Sequence, residues 1–160
     1  MKSWELFDSV DHISEDAIAN SAAKLIEPGA VLVVVRGMIL VHTFPSAIIR
    51  VPAAINQDMK ALIPGNELLP EFLSSMFWAY NQRILALVEK STHDTRRLDV
   101  SKLLDTKIAV PSIPEQRRIV TYLDNLQSKL DSLKRLQSET AAELDAMLPS
   151  ILDKAFKGEL

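Results

Sequence analysis

A polar segment in the middle of the chain carries the residue types that bind anions. It runs from Glu89 to Arg97, and its cations are Lys90, Arg96 and Arg97. Lysine and arginine bind phosphate oxygens, and arginine also pairs with the edge of guanine. Smaller hydrogen-bond donors lie among them: Ser91, Thr92, His93 and Thr95. The segment predicts either a nucleic-acid-binding loop or a solvated connection between two helices, and its residues favour the two equally.

Two further arginines, Arg36 and Arg50, flank predicted strands and could add to the same face, although surface solubility explains each of them equally well. The net charge of −3 argues against a strongly basic protein that binds nucleic acid without specificity. The charges are unevenly distributed, because residues 36–112 hold nine Lys and Arg against seven acids, whereas residues 1–35 hold two Lys against six acids. An anionic partner would therefore bind the middle of the globular part.

The sequence contains no recognisable catalytic or metal-binding constellation. Its histidines, His12, His42 and His93, lack the close spacing of metal ligands. It has no phosphate-binding glycine loop, no G-x-S-x-G nucleophile motif and no cysteine. The lack of cysteine excludes disulfides and thiolate chemistry. Together these absences favour a binding or scaffold protein without a cofactor or metal over an enzyme.

The first two thirds of the chain predict a mixed α+β globular domain. Hydrophobic residues make up 48 % of the sequence, which is enough for one packed domain with an extension. Apolar, β-branched runs predict strands at residues 30–35, 38–41, 48–51, 59–63 and 107–110. Helical periodicity predicts helices at residues 70–88 and 98–104. Ser14 predicts the N-cap of a further helix, with Ile18, Ala22 and Leu25 on one face, and residues 2–11 predict a strand or short helix.

The last third of the chain predicts one long helix, so we divide the sequence into a globular domain, 1–112, and a helical region, 113–160. From Glu115 to Met147 such a helix would span roughly 50 Å, which is longer than a small domain is wide. Most of it therefore needs a partner outside its own globular domain. Pro149 leaves open whether the helix kinks or stops there. The a and d positions of its heptad pattern are Ile119, Leu123, Leu126, Leu130, Leu133, Gln137, Thr140, Leu144 and Met147.

Gln137 and Thr140 interrupt this apolar stripe with polar side chains. They indicate either a loosely packed seam or control of register, because a buried polar side chain is satisfied in only one alignment. Leu126 and Leu144 lie equally far from Arg135 along the chain. We therefore predict that the helix pairs with an antiparallel copy of itself, centred near Arg135.

Four segments resemble the specificity subunit of Type I restriction–modification systems. The first is Leu25–Leu32 with the following Arg36-Gly37, and the second is Ala54–Leu62. The third, Ile108–Val120, contains Pro-Glu-Gln and is the most specific. The fourth, Ile151–Leu160, ends in Gly-Glu-Leu. Their order and spacing are similar to one target-recognition domain followed by one conserved spacer helix, and together they cover most of residues 24–160.

The resemblance implies a non-catalytic subunit that reads double-stranded DNA in the major groove. In this family the spacer helices separate two recognition domains and carry the contacts to the methyltransferase, or modification, subunits. A full subunit holds two domains and two antiparallel helices, whereas this chain holds one of each. The resemblance therefore implies a homodimer that restores the pair by two-fold symmetry. The recognition loops of this family vary too much for contact residues to be carried over one by one, so the candidate DNA contacts are named from their residue types: Lys90, Thr92, His93, Thr95, Arg96 and Arg97 of the polar segment, together with Arg36.

The chain departs from the family pattern because its recognition domain is short at the N-terminal side. A second hypothesis is therefore a scaffold or regulator that keeps the fold and the helix pairing but lacks DNA recognition, and the acidic net charge favours it. Since no apolar run is long enough to cross a bilayer and no signal peptide is visible, we expect a cytoplasmic protein.

Overall fold

The computed structural model describes residues 4–21, 23–90 and 95–158, and the chain forms two compact units, Met1–Val120 and Thr121–Leu160. The strands are β1 (Glu5–Leu6), β2 (Leu25–Ile26), β3 (Val31–Val34), β4 (Ser46–Ile49), β5 (Ala53–Ala54), β6 (Met59–Leu62), β7 (Val88–Lys90) and β8 (Arg96–Leu98). The helices are α1 (Glu15–Ala19), α2 (Pro70–Ala79), α3 (Asn81–Leu85), α4 (Val100–Leu104) and α5 (Ile113–Lys157). This mixture of helices and strands, followed by one long helix, confirms the predicted fold class.

The first unit is organised around a four-stranded sheet in the order β1-β4-β3-β6. β1 runs parallel to β4, and the other neighbours are antiparallel. Successive side chains of a strand point to opposite faces. Val31 and Val33 of β3 accordingly contact the main core, which includes Phe77 of α2 and Ile84 of α3, while Leu32 joins a smaller cluster with Ile49. Burial on both faces explains why this strand is almost purely apolar.

The strand predicted at residues 38–41 is wrong. These residues form a 3₁₀ helix, Met38–Val41, in which only Leu40 is buried. Gly37 precedes it with φ 135°, a left-handed conformation that favours glycine and ends the extended chain. The apolar run was ambiguous because a short sequence of this kind does not separate a strand from a helical turn.

The single helix predicted at residues 70–88 is also wrong, because α2 ends at Ala79 and α3 begins at Asn81. Tyr80 between them has non-helical backbone angles. The Asn81 carboxamide oxygen accepts hydrogen bonds from Phe44 N at 2.7 Å and Thr43 Oγ1 at 3.2 Å. This tertiary contact ties Asn81 to the chain before β4, and no periodicity in the local sequence reports it.

Residues 88–90 and 96–98 are strands and residues 100–104 are a helix, whereas the sequence predicted a loop between two helices. β7 pairs antiparallel with β8, with Val88 opposite Leu98. The predicted helix at 98–104 begins two residues late, because Asp99 is the N-cap and its Oδ1 accepts from Ser101 N at 2.9 Å. Residues 107–110, predicted as a strand, are irregular.

The N-terminal predictions are confirmed in part. β1 lies within residues 2–11, and the Ser14 side chain caps α1 by accepting from Ala17 N at 3.2 Å. α1 ends at Ala19, and Leu25 belongs to β2. The predicted face that included Leu25 is therefore wrong, while Ala22 lies outside the described residues.

The predicted long helix is confirmed and extends further than expected. α5 contains 45 residues and continues through Pro149. Its first two turns belong to the first unit, which ends at Val120, and the second unit consists of the rest of the helix and the chain end. A functional boundary between residues 112 and 113 stays a prediction.

Candidate nucleic-acid interface

The candidate site lies where the β7–β8 hairpin meets the end of β3. Leu98 N donates to Val35 O at 2.8 Å, and Gly37 N donates to Arg96 O at 3.0 Å. Between these two bonds Arg36 and Arg97 form an isolated antiparallel β-bridge. Leu98 is buried and anchors the hairpin in the core. Two arginines that are far apart in the sequence thus occupy directly opposite positions.

The strand pairings divide the charged residues between two faces. Residues directly opposite each other in antiparallel strands share a face, and neighbours along one strand alternate. Because Arg97 is opposite both Glu89 and Arg36, these three residues share one face. Lys90 and Arg96 are opposite each other on the other face, the face of Leu98. The hairpin therefore presents arginine to both sides.

Arg36 and Arg97 are exposed, and the charge of Arg97 acts on Asp99, whose pKa is lowered chiefly by hydrogen bonds from Ser101 and to a smaller extent by the nearby cations. Arg36 Nε lies 3.8 Å from Asp58 Oδ1, in a pair that is open to solvent and so contributes little. Glu89 forms its ion pair with Lys102 of α4, and this bond raises the pKa of Lys102. Like charges directly opposite each other on a sheet repel. An anion such as a phosphate group would relieve this repulsion and bind both guanidinium groups.

Arg96 differs from Arg97 because it is partly buried. Its Nε is inaccessible to solvent and lacks a hydrogen-bond partner in the described part of the chain. Its backbone carbonyl oxygen accepts from Gly37, which fixes the position of the residue beside the end of β3. An unpaired buried guanidinium N–H is costly, so a ligand that reached it would gain a strong charge-assisted hydrogen bond.

The other predicted contact residues border this site to different extents. Lys90 is exposed at the end of β7, and Thr95 is half-buried just before β8. Thr92 and His93, together with Ser91, lie outside the described residues. The structure thus brings Arg36, Lys90, Thr95, Arg96 and Arg97 into one region and says nothing of the two remaining candidates.

Arg50 does not add an unpaired positive charge to this region. Its guanidinium donates to Glu5 Oε1 and, at 2.7 Å, to Glu71 Oε1. Burial alone would raise the pKa of Glu71, but the hydrogen bond and charge of Arg50 outweigh it and hold that pKa below its usual value. Arg50 therefore connects the edge strand β1 to α2, a role that neither of the two alternatives left open by the sequence described.

The predicted heptad stripe on α5 is exposed along the second unit. Its large apolar members Leu126, Leu130, Leu133, Leu144 and Met147 are between 40 % and 58 % exposed. Gln137 and Thr140 are exposed as well, while Ile119 and Leu123 are half-buried. Two further apolar residues, Tyr122 and Leu136, are exposed directly before heptad positions 123 and 137. The stripe is therefore wider than the a and d positions alone.

A family model described as the Type I restriction modification DNA specificity domain matches residues 5–141. The chain belongs to this Type I specificity family. The resemblance found in the sequence segments is confirmed. In the described part of the chain, no helix is long and apolar enough to cross a membrane, and no cluster of side chains has the composition of a metal site.

Members of the Type I specificity family among characterised proteins are similar over much of this chain. It is 40 % identical over 125 residues to the Type I restriction enzyme EcoR124I/EcoR124II specificity subunit of Escherichia coli, covering 78 % of this chain and 31 % of that protein. It is 35 % identical over 75 residues to the EcoBI specificity subunit of the same organism, covering 46 % and 16 %. The chain thus spans at most about a third of the length of these relatives.

Solved structures of the Type I specificity family share the fold. A chain from the type I R-M system, solved in work on its complex assembly and conformational transition, superposes with a TM-score of 0.69 at 31 % identity, covering 88 % of this chain and 33 % of that one. The HsdS subunit from Thermoanaerobacter tengcongensis gives a TM-score of 0.61 at 32 % identity, covering 86 % and 32 %.

Sequence reasoning missed three residues that the structure singles out in this Type I specificity chain. Tyr122 and Leu136 were hidden because only the a and d positions were followed, although apolar g positions are a recognisable signal. Gln116 was read only as part of a family signature, yet its side chain is fully buried. No sequence pattern reports that burial, because a polar residue in the first turn of a helix is usually solvated.

Proposed function

We propose that this chain recognises double-stranded DNA as a half-size specificity subunit of a Type I restriction–modification system. The proposal rests above all on the β-bridge that places Arg36 opposite Arg97 beside the partly buried Arg96. Guanidinium groups spaced across neighbouring strands suit successive phosphates or a phosphate and a guanine edge. The subunit has no catalytic role of its own, and the methyl transfer belongs to the modification subunit.

The two remaining parts of the proposal concern α5. Its exposed stripe pairs with an antiparallel copy of itself and so joins two recognition domains. In a pairing centred on Arg135, Leu126 faces Leu144 and Leu123 faces Met147 of the second chain. Every such layer joins an a position to a d position, which is the arrangement in antiparallel coiled coils.

The width of the stripe supports a second kind of partner. Tyr122 and Leu136 lie at g positions, so the apolar face is wider there than the a and d seam that a coiled-coil pairing covers. We assign these residues to the docking of the modification subunit, while the a and d residues form the homodimer.

Replacing Arg36 and Arg97 with alanine tests DNA recognition. We expect weaker binding to a random-sequence duplex. We also expect the slope of log K against log salt concentration to become less negative by about two, because each phosphate contact contributes about 0.9 to it. Binding is measured by fluorescence anisotropy at several salt concentrations. The matched control, Arg83→Ala with Arg118→Ala, removes the same charge from other exposed positions and should preserve most of the slope. Equal losses in both double variants would contradict this site.

The alternative function is a scaffold or regulator that keeps helix pairing but lacks DNA recognition, and the net charge of −3 favours it. A gel shift with random duplex, with and without a co-expressed modification subunit, separates the two functions. Recognition predicts a shift that the modification subunit strengthens. A scaffold predicts a complex with the modification subunit in which this chain adds nothing to DNA affinity.

A further inference from the structure

The 3₁₀ helix that follows Gly37 presents apolar side chains to solvent. Met38 is 58 % exposed, Ile39 47 % and Val41 42 %, whereas Leu40 between them is buried in the main core. Single exposed apolar residues are ordinary on a protein surface, but three within four positions form a patch. We term Met38, Ile39 and Val41 the apolar patch. Exposed patches of this kind are candidate binding surfaces.

The first unit holds the 3₁₀ helix in place at both ends and in its middle. At the start, Gly37 N donates to Arg96 O at 3.0 Å, which fixes the helix to β8. Just after its end, Phe44 N donates to the Asn81 carboxamide oxygen at 2.7 Å. Between them, Leu40 packs in the core. The apolar patch is therefore preorganised, and a partner does not have to order it on binding.

Arginines lie directly beside the apolar patch. Arg36 precedes Met38 by two residues, and its β-bridge to Arg97 brings a second guanidinium group to the same region. Residues 36–57 contain no Asp or Glu, so the segment that carries the patch has no carboxylate of its own to repel an anion. A partner that covers both features must present apolar groups close to negative charges.

Duplex DNA presents this combination in its major groove. Phosphates line the groove, and the 5-methyl group of thymine is the apolar group that the base pairs present there. The major groove, about 12 Å wide, admits a two-stranded β-ribbon, whereas the minor groove is about 6 Å wide and presents no methyl group. We propose that the apolar patch contacts thymine methyl groups while Arg36 and Arg97 bind nearby phosphates. Resting on the proposed function, this inference makes Met38, Ile39 and Val41 specificity-determining residues for T·A base pairs.

Replacing thymidine with deoxyuridine tests the contact, because it removes the methyl group and keeps the base pairing. A selection from a random duplex library, with the modification subunit present, supplies a probe duplex that is then synthesised with either nucleoside. Fluorescence anisotropy measures the binding of the same protein complex to both. We expect about fourfold weaker binding for each contacted methyl group that is removed. Equal affinities, or an enriched sequence without a T·A base pair, would overturn the proposal.

A triple serine variant, Met38→Ser with Ile39→Ser and Val41→Ser, assigns this preference to the apolar patch. It should bind the thymidine and deoxyuridine duplexes with equal affinity, because serine does not form the apolar contact. A variant that was merely destabilised would bind both duplexes more weakly and keep the ratio between them. A retained preference for thymidine would therefore overturn the proposal.

The matched control replaces three other exposed aliphatic residues of the first unit: Val10→Ser, Ile13→Ser and Ile63→Ser. Ile63 follows β6, whose last residue pairs with the first residue of β3, so it lies at the opposite end of β3 from Arg36. The control removes a similar amount of exposed apolar surface and should keep the preference for thymidine. Loss of the preference in the control as well would overturn the assignment to the patch.

Photocrosslinking locates the contact without any substitution, and so decides the case in which the serine variant does not fold. A duplex with 5-iododeoxyuridine carries iodine in place of the methyl group and crosslinks to adjacent residues under ultraviolet light. Trypsin cuts after Arg36 and Arg50, so a contact with the apolar patch should appear on the peptide 37–50. Crosslinks only to other peptides would overturn the proposal.

The remaining outcomes separate this inference from the proposed function. Loss of binding to the modification subunit by the serine variant, with an unchanged preference for thymidine, would show that the patch docks a protein, and would overturn the proposal. DNA binding that depends on Arg36 and Arg97 but not on thymine methyl groups would overturn this inference alone. If the unsubstituted chain enriches no sequence and binds no duplex, the proposed function fails and this inference fails with it.

Discussion

The two units of this chain differ in whether their apolar side chains are buried or exposed. In the first unit, the β-branched residues of β3 and the side chains that α2 and α3 place against them are buried. In the second unit, the leucines of the α5 stripe are 40 % or more exposed. Burial of apolar surface drives both folding and association. The first unit thus buries its apolar residues within the chain, whereas the proposed helix pairing would cover the stripe of the second.

The charged groups show a similar contrast within the first unit. Arg50 is held by two carboxylates and contributes to the fold, while Arg36 and Arg97 lie opposite each other and are exposed to solvent. Repulsion between like charges is tolerated where a ligand gains from it. Under the proposed function, the contrast separates an arginine that stabilises the protein from the pair that we assign to an anionic partner.

The largest expected effect comes from breaking the stripe with Leu126→Asp. A carboxylate buried without a partner in a helix pair costs about 3 kcal/mol or more, which corresponds to a loss of roughly 100-fold in dimer affinity. Sedimentation equilibrium should show a monomer at concentrations where the unsubstituted chain is a dimer. Asn125→Asp introduces the same group beside the stripe and should leave the dimer intact.

Crosslinking between introduced cysteines shows in addition whether the two helices run antiparallel or parallel. A chain with Leu126→Cys mixed with a chain with Leu144→Cys should form a crosslink between the two under mild oxidation, as antiparallel pairing requires. Crosslinks only between identical positions would show parallel helices and refute the proposed pairing. A sedimentation profile that Leu126→Asp does not alter would refute the dimer itself.

A substitution that creates a cavity in the first unit should affect the free energy of unfolding, whereas the substitutions above affect dimer formation. Leu98→Ala truncates a side chain that is 1 % exposed at the base of the hairpin and should lower the free energy of unfolding by about 2–5 kcal/mol. Leu104→Ala truncates a leucine that is 66 % exposed nearby and should change it by less than about 0.5 kcal/mol. Urea unfolding followed by tryptophan fluorescence measures both. Equal effects of the two substitutions would contradict the packing described for Leu98.

The sequence predicted the features that depend on local pattern. The β-branched run became β3, Ser14 became an N-cap, and the heptad repeat became α5. The family was also recognisable from short segments, because motifs such as Pro-Glu-Gln before a helix are read directly from residues. These signals lie within a few residues of one another, so no knowledge of distant contacts was needed.

The sequence did not predict the features that depend on contacts between distant residues. The break at Tyr80 follows from hydrogen bonds between Asn81 and the chain at Phe44, and the hairpin at Arg97 follows from its pairing with Arg36. The candidate residues of the basic segment were named from their types alone. The register of the strands was needed to place these residues on two faces. The side-chain contacts of Arg50 were needed to show that it forms an internal ion pair.

The smallest expected effect is the contribution of Glu71 to the pH dependence of the free energy of unfolding of the first unit. Because its pKa in the folded protein is lowered, its ion pair with Arg50 stabilises the fold above the ordinary titration range of glutamate and is lost as the pH falls through the folded-state value. Glu71→Gln should therefore lower the free energy of unfolding at neutral pH by about 1 kcal/mol or less and flatten its dependence on acidic pH. Glu67→Gln, in an exposed position, is the control. Because Glu71 lies in the first unit, lowering the pH should change the free energy of unfolding without changing the mass measured by sedimentation. A simultaneous decrease in both quantities would show that the two units are not independent.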